Sequence, residues 1–145
     1  MLSVKELIDM LDIDHIYEML SCNNDITTQQ KGIEEAKKIK ALWVLILPIL
    51  PTSSKDVWEN CAKVLVSKTD KELSQYYYHL LTWLQDINWP GASIIYDRLS
   101  KVSDDLFEIN LSTCLKISKN NGDKPWQYAL DALSEERKKS KQTKE

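Results

Sequence analysis

Three heptapeptides repeat one grammar along the chain: DVWENCA at 56–62, DINWPGA at 86–92 and DKPWQYA at 123–129. Each places an Asp six residues before an Ala, with a Trp two or three residues after the Asp. Three residues beyond each Ala stands Leu65, Ile95 or Ala132. The units start 30 and 37 residues apart, within the range of helical repeats that stack side by side. A stretch of helical apolar spacing precedes each corner: Ile39–Leu50, Leu73–Leu84 and Leu106–Ile117. A small Ala permits close helix approach, and a Trp fills the wedge at a corner. The pattern predicts an all-α fold, a HEAT-like stack of antiparallel helix pairs (an α-solenoid) with about seven or eight helices. An irregular helical bundle is the alternative.

Local signals place the helices. With only 3 Gly and 4 Pro, the chain has few of the tight turns a sheet protein needs. Ser3-Val4-Lys5-Glu6 has the capping-box form, and Leu2 and Leu7 stand where a hydrophobic staple would place them. Helices are expected from Val4 to about Leu11 and from Ile13 to Leu20, then a polar loop at 21–28. Ile33, Ala36, Ile39, Trp43, Ile46 and Leu47 recur at helical spacing until Pro48 kinks or ends the run and Pro51 stops it. A turn at 52–56 leads into a helix from about Lys55 to Ser67. Thr69 and Glu72 form another capping box, opening a helix whose expected buried stripe is Leu73, Tyr76, Tyr77, Leu80, Leu81 and Leu84.

The stretch WLQDINWPGA (83–92) then reads as a corner. Asn88 is expected to cap a helix from Trp89, with Pro90 in its first turn, where a missing N–H costs nothing. Ser103, Asp104 and Asp105 open the next helix, and Asn121-Gly122 close it. Asp123 caps the last, with Pro125 and Trp126 in its first turn. Residues 1–133 are expected to form one helical-repeat domain, of which 1–27 are N-terminal helices. Residues 134–145 form a charged tail without an apolar residue, expected to fray.

A net charge of −3 hides an asymmetry. Residues 1–36 carry eight acids and two bases, a net −6, whereas residues 37–133 hold 12 bases and 11 acids. An acidic first quarter and the lack of a basic stripe disfavour nucleic acid and suit a basic protein partner. The longest apolar run, 41–50, is about half of what a membrane span needs. Lys5, Glu6 and Asp9 interrupt the place a signal peptide would occupy. The expectation is a cytoplasmic protein, off the membrane, with Cys22, Cys61 and Cys114 as reduced thiols.

Chemistry has little to work with. The chain lacks the phosphate-binding Gly-rich loop, the zinc-binding His pair and the nucleophile-elbow motif. His15 stands near Asp12, Asp14 and Glu18 with no second ligand cluster, and His79 has no acid four residues to either side. We expect no enzyme, no cofactor and no metal. Tyr76, Tyr77 and Tyr78 cover most of a helix circumference, so at least one ring should reach a surface.

WLQDINWP, with VWENCAKVL (57–65) and GIEEAKKIKAL (32–42) upstream, resembles a bacterial HEAT-like family catalogued as domain of unknown function 5071. Trp83, Leu84, Gln85, Asp86, Asn88, Trp89 and Pro90 match, as do Trp58, Glu59 and Asn60; the likeness covers about residues 28–133. That family includes predicted immunity proteins of polymorphic toxin and contact-dependent growth inhibition systems. The resemblance implies a protein that binds and neutralises a cognate toxin domain, often a nuclease. Trp58, Trp83, Asp86, Asn88, Trp89, Pro90 and Trp126 are then architectural, because they coincide with the corners.

The partner surface is expected in the acidic quarter, on Asp9, Asp12, Asp14 and Glu18. An aromatic anchor would come from Tyr17 or from Tyr76, Tyr77 and Tyr78. A non-catalytic HEAT-like adaptor or scaffold is the alternative reading, and the oligomeric state stays open.

Overall fold

The computed structural model describes the backbone of residues 3–49 and 55–143, and the side chains of 3–4, 13–48 and 55–141. Its regular elements are all helical; no strand occurs among the described residues. Helix α1 (Val4–Leu20) is one continuous helix, not two. Asp12 carries only a modest helix penalty, and no Gly or Pro breaks the run. The side chain of Glu6 lies outside the described residues, so the first capping box does too. Helix α2 (Ile26–Ala36) is capped by Asp25, whose carboxylate accepts the Thr28 amide at 2.8 Å.

The expected helix through Leu50 does not form. Helix α2 stops at Ala36, and two 3-10 turns follow, Leu42–Leu45 and Leu47–Ile49. Ile46, between the two turns, leaves the helical region at φ −93° and ψ 86°, and Pro48 has no amide with which to continue a helix. In addition, Leu42, Val44, Leu45, Ile46 and Leu47 are all buried, more than one helix face can present. The segment threads the core instead of packing one stripe against it.

A 3-10 turn at Lys55–Val57 leads into α3 (Trp58–Val66). Thr69 and Glu72 form both halves of their capping box at the start of α4 (Asp70–Leu73). The 3-10 turn Ser74–Tyr76 joins α4 to α5 (Tyr77–Thr82), which ends in another, Trp83–Gln85. Then come α6 (Ala92–Ser100), α7 (Asp105–Asn120) and α8 (Lys124–Thr143). Counting 70–85 as one helical body gives seven among the described residues.

Alternate elements pack together. Helix α3 lies against α6 and α6 against α8; α5 lies against α7 and against the turn at 47–49. Helices α7 and α8 cross between these two rows, as do α3 and the turn at 42–45. At one end, α1 packs on α2 and α2 on α3. Each helix thus buries one stripe toward the core between the rows, where Leu65, Leu81, Trp83, Leu99, Phe107 and Leu130 are almost fully enclosed.

The three corner motifs precede α3, α6 and α8, the members of one row. Their tryptophans nevertheless hold different positions. Trp58 opens α3, Trp89 lies three residues before α6, and Trp126 is the third residue of α8. Leu65 and Ile95 are buried but Ala132 is exposed, so the third copy departs from the first two.

The C-terminal segment does not fray before Thr143. Arg137, 4% exposed, donates to the carbonyls of Leu99 (2.9 Å) and Val102 (2.6 Å) and to Glu108 through Nε and Nη2 (3.0 and 2.6 Å). Its guanidinium also lies 4.4 Å from the centre of the Phe107 ring. The cation sits at the C-terminal end of α6, where the Leu99 carbonyl also accepts the Val102 amide and the Val102 carbonyl lies just past the helix.

Candidate interaction surface

The end layer of α1 and α2 owes its geometry to Gly32. A Cβ at that position would lie 2.9 Å from Met19 Cβ and 3.0 Å from the Met19 carbonyl carbon. Only a residue without a side chain allows this approach. Alongside the contact runs an open groove of about 680 Å³, walled by His15, Ile16, Met19, Thr27, Gln30 and Glu34 with their neighbours. On α2, residues 27, 30, 31, 34 and 35 recur at three- and four-residue spacing, which puts them on one face. Ile16 and Met19 give the groove an apolar floor, and carboxylates rim it.

Charge on that rim is partly paired. Glu34 holds Lys37 and Glu35 holds Lys38, each at 3.1 Å, and His15 Nδ1 stands 3.9 Å from Glu18. Asp14 and Glu18 are exposed on α1 beside His15. The side chains of Asp9 and Asp12 lie outside the described residues.

The aromatic candidates divide. Tyr17 donates its hydroxyl to the Val44 carbonyl, tying α1 to the 42–45 turn, and burial pushes its pKa well above the ordinary tyrosine value. It is a half-buried strut, and the Asp14 carboxylate one turn before it on α1 adds to that rise. Tyr77 is wholly buried, stacks edge-on against Phe107 at 5.2 Å, and donates to the Asp70 carbonyl at 3.0 Å. Burial and the neighbouring Asp104 and Asp70 raise its pKa to about 12. Tyr77 is therefore a core residue and no surface anchor. Tyr76 and Tyr78 are half-buried, and Tyr78 packs edge-on against His79. They stand on the row of α5 and α7, whereas the acidic carboxylates stand on α1 and α2, so these two rings do not share a patch with the acids.

At the 83–92 corner every signature residue has a structural partner or turn position. Trp83 donates its indole N–H to the Pro90 carbonyl at 3.0 Å, and Trp58 packs edge-on against both Trp83 and Trp89, at 6.0 and 5.5 Å. The Asp86 carboxylate accepts the Asn88 amide at 2.9 Å, an Asx turn. Asn88 does not cap a helix, and Trp89 and Pro90 precede one. The helix opens at Ala92 after Gly91, whose φ of +84° turns the chain. Sequence reasoning missed Gly91 because Asn88 has the residue type of a cap, whereas the need for Gly comes from Ala62, 2.7 Å from where a Cβ would sit.

Two other features bear on chemistry. Burial pushes the thiols of Cys61 and Cys114 up to about 12, leaving them protonated at neutral pH. No described helix is long and apolar enough to cross a membrane, and no group of three or more His, Cys, Asp or Glu among the described residues could hold a metal.

No curated protein and no solved structure matches the chain. The sequence model of one family matches residues 49–144, beginning and ending later than the stretch the corner residues suggested. That match takes in α3 to α8 and leaves out α1 and α2. Covering about two thirds of the sequence, it makes this chain a member of the family described as domain of unknown function DUF5071.

Proposed function

We propose that the chain is a cytoplasmic immunity protein that binds a cognate, basic toxin domain and neutralises it by occupation, without catalysis. The supporting observation is how charge divides along the stack. Residues 1–36 carry a net −6 and supply α1 and α2, the end layer outside the family match; residues 37–133 are nearly neutral and lie inside it from residue 49 on. A common scaffold with a separate charged end suits a protein whose partner differs from one relative to the next. Acidic charge there speeds encounter with a basic partner and competes with the phosphate chain such a toxin would handle. The alternation of α3, α6 and α8 with the 42–49 turns, α5 and α7 supports a HEAT-like reading of the scaffold.

Coexpression with a toxin gene encoded beside this one is the test. Survival that depends on this protein supports the reading, and equal killing with and without it overturns it. A non-catalytic adaptor is the second reading, favoured by Leu106 and Ile109, which stand exposed near the start of α7. A neighbourhood without a toxin gene would favour it.

A further inference from the structure

We propose that α1 and α2 form a detachable cap. It opens as a unit in the native protein and uncovers the α3 face that carries Asn60 and Cys61, while α3 to α8 stay folded. This inference does not depend on the immunity reading. The two helices pack mostly on each other and reach the rest of the fold mainly through α3 and the 55–57 turn. The joint there is rich in polar bonds. Asn60, 2% exposed, donates through Nδ2 to the Leu20 carbonyl at 2.7 Å and to Gln29 Oε1 at 2.9 Å. Ser21 donates its hydroxyl to the Asp56 carboxylate, the Cys22 amide donates to the Asp56 carbonyl at 2.9 Å, and Tyr17 donates to the Val44 carbonyl. Apolar cover is thin by comparison. Helix α2 buries only Gly32 and Ala36, the two smallest residue types, and Gly32 faces Met19 of α1. Of the described α1 side chains, Ile16 and Leu20 are buried.

The makeup of a joint decides how readily it parts. Separating apolar surfaces leaves both facing water, at a cost proportional to their area. Hydrogen bonds broken on opening are remade to water, so each holds the joint shut only by a factor of about three to ten. Between the rows the enclosed groups are Tyr77, Trp83, Phe107 and Trp126, whose large apolar area water cannot compensate. The chain is also held just past α2. Lys68 donates to the Lys37 carbonyl at 2.7 Å, and Leu42, Val44, Leu45, Ile46 and Leu47 are buried. The cap can therefore part at Lys37 without drawing a core segment after it, a sub-global opening that lies below global unfolding in free energy.

The three cysteines read this opening. Cys22 is exposed, Cys61 is wholly buried on α3 near the Tyr17 hydroxyl of the cap, and Cys114 is wholly buried on α7. The full-length protein is labelled with a maleimide without denaturant, and each thiol is followed by peptide mass spectrometry. Cys61 should react more slowly than Cys22 but about tenfold or more faster than Cys114. The Leu20 and Ala36 amides should exchange with the same opening constant that Cys61 labelling gives. Gln29→Ala, which removes one bond of the joint, should speed Cys61 about three- to tenfold and leave Cys114 unchanged. Thr69→Ala, which removes a helix cap outside the joint, should speed Cys114 and leave Cys61 unchanged. Equal labelling of Cys61 and Cys114, or a Gln29→Ala effect that is absent or shared by both thiols, overturns the proposal in favour of one cooperative unit. Cys61 labelling that outpaces exchange at Leu20 overturns it too, because α3 then opens locally with the cap in place.

Discussion

Trp83 and Pro90 close the 83–92 corner on itself: the indole N–H at the end of one helical body donates to the carbonyl of the turn that leads into the next, at 3.0 Å. A buried indole usually finds a partner for its N–H, and for Trp83 that partner sits seven residues ahead in the chain. The bond fixes the direction in which the chain leaves the corner, and Gly91 makes that direction sterically possible.

Gly91→Ala should therefore destabilise by about 2–4 kcal/mol, combining a left-handed φ with overlap against Ala62. Gly122 is the internal control. Its φ is +65° but a Cβ there meets nothing within 4 Å, so Gly122→Ala should cost only about 1 kcal/mol. Denaturant melts of the two variants decide; equal costs would mean that Ala62 exerts no steric constraint.

The tryptophans should rank by enclosure rather than by motif position. Trp126 is nearly fully buried and donates to the Leu81 carbonyl at 3.0 Å, so Trp126→Ala should cost about 3–5 kcal/mol. Trp89, half-buried and touching Trp58 edge-on, should cost roughly half as much. If Trp89→Ala melts lower than Trp126→Ala, the corner carries more of the core than its exposure indicates.

Acid should loosen the stack through Glu108 and Asp70. Burial would raise the Glu108 pKa, but hydrogen bonding and charge from Arg137 outweigh it and hold the carboxyl below its usual 4.5. For Asp70, burial is likewise outweighed by Arg98 and by the Ser103 amide and hydroxyl. A folded-state pKa below the unfolded value means stability that is fully present above the unfolded value and lost as pH falls through the folded one. Melting temperature should thus hold down to about pH 4.5 and decline below it. Glu108→Gln should flatten that decline and cost about 1–2 kcal/mol at neutral pH, since Arg137 keeps two backbone carbonyls. An unchanged acid limb would show that the pair contributes nothing to the linkage.

Legibility in the sequence followed the range of the interactions. The caps at Thr69, Asp104 and Asp123 were readable because each bond spans two or three residues. The helix expected through Leu50 was not, because a fully apolar run carries no face, and burial on several sides selects 3-10 turns. The tail failed for a different reason: Arg137 reads as one charge among many, and its partners lie 29 to 38 residues away. On the candidate surface, charge composition pointed to Asp14 and Glu18. The stripe Leu73, Tyr77, Leu80, Leu81 and Leu84 is buried as its spacing indicates, which rules out Tyr77 as an anchor, whereas Tyr76 on the same stripe stays half-buried because tertiary packing sets the helix rotation.

Gly32 offers the test of whether α1 and α2 act as a distinct layer. A methyl group there must push against Met19 Cβ and against the backbone of Met19 and Leu20, at 2.9 to 3.1 Å, and backbone cannot swing aside as a side-chain end can. Helix propensity works the other way, favouring Ala over Gly by about 1 kcal/mol inside a helix. Overpacking typically costs about 1–3 kcal/mol, so Gly32→Ala should be mildly destabilising or neutral overall while spreading the two helices. Gly32→Val adds bulk without the propensity gain and should cost clearly more. Hydrogen exchange separates local from global effects. Amides of α1 and α2 should lose protection in Gly32→Val, while those of α6 to α8 keep theirs, because α2 reaches the rest of the fold mainly through α3. Loss spread evenly over all helices would show one cooperative unit, with no end layer free to vary on a fixed scaffold. Protection unchanged in α1 would mean that the close contact with Met19 does not set the groove.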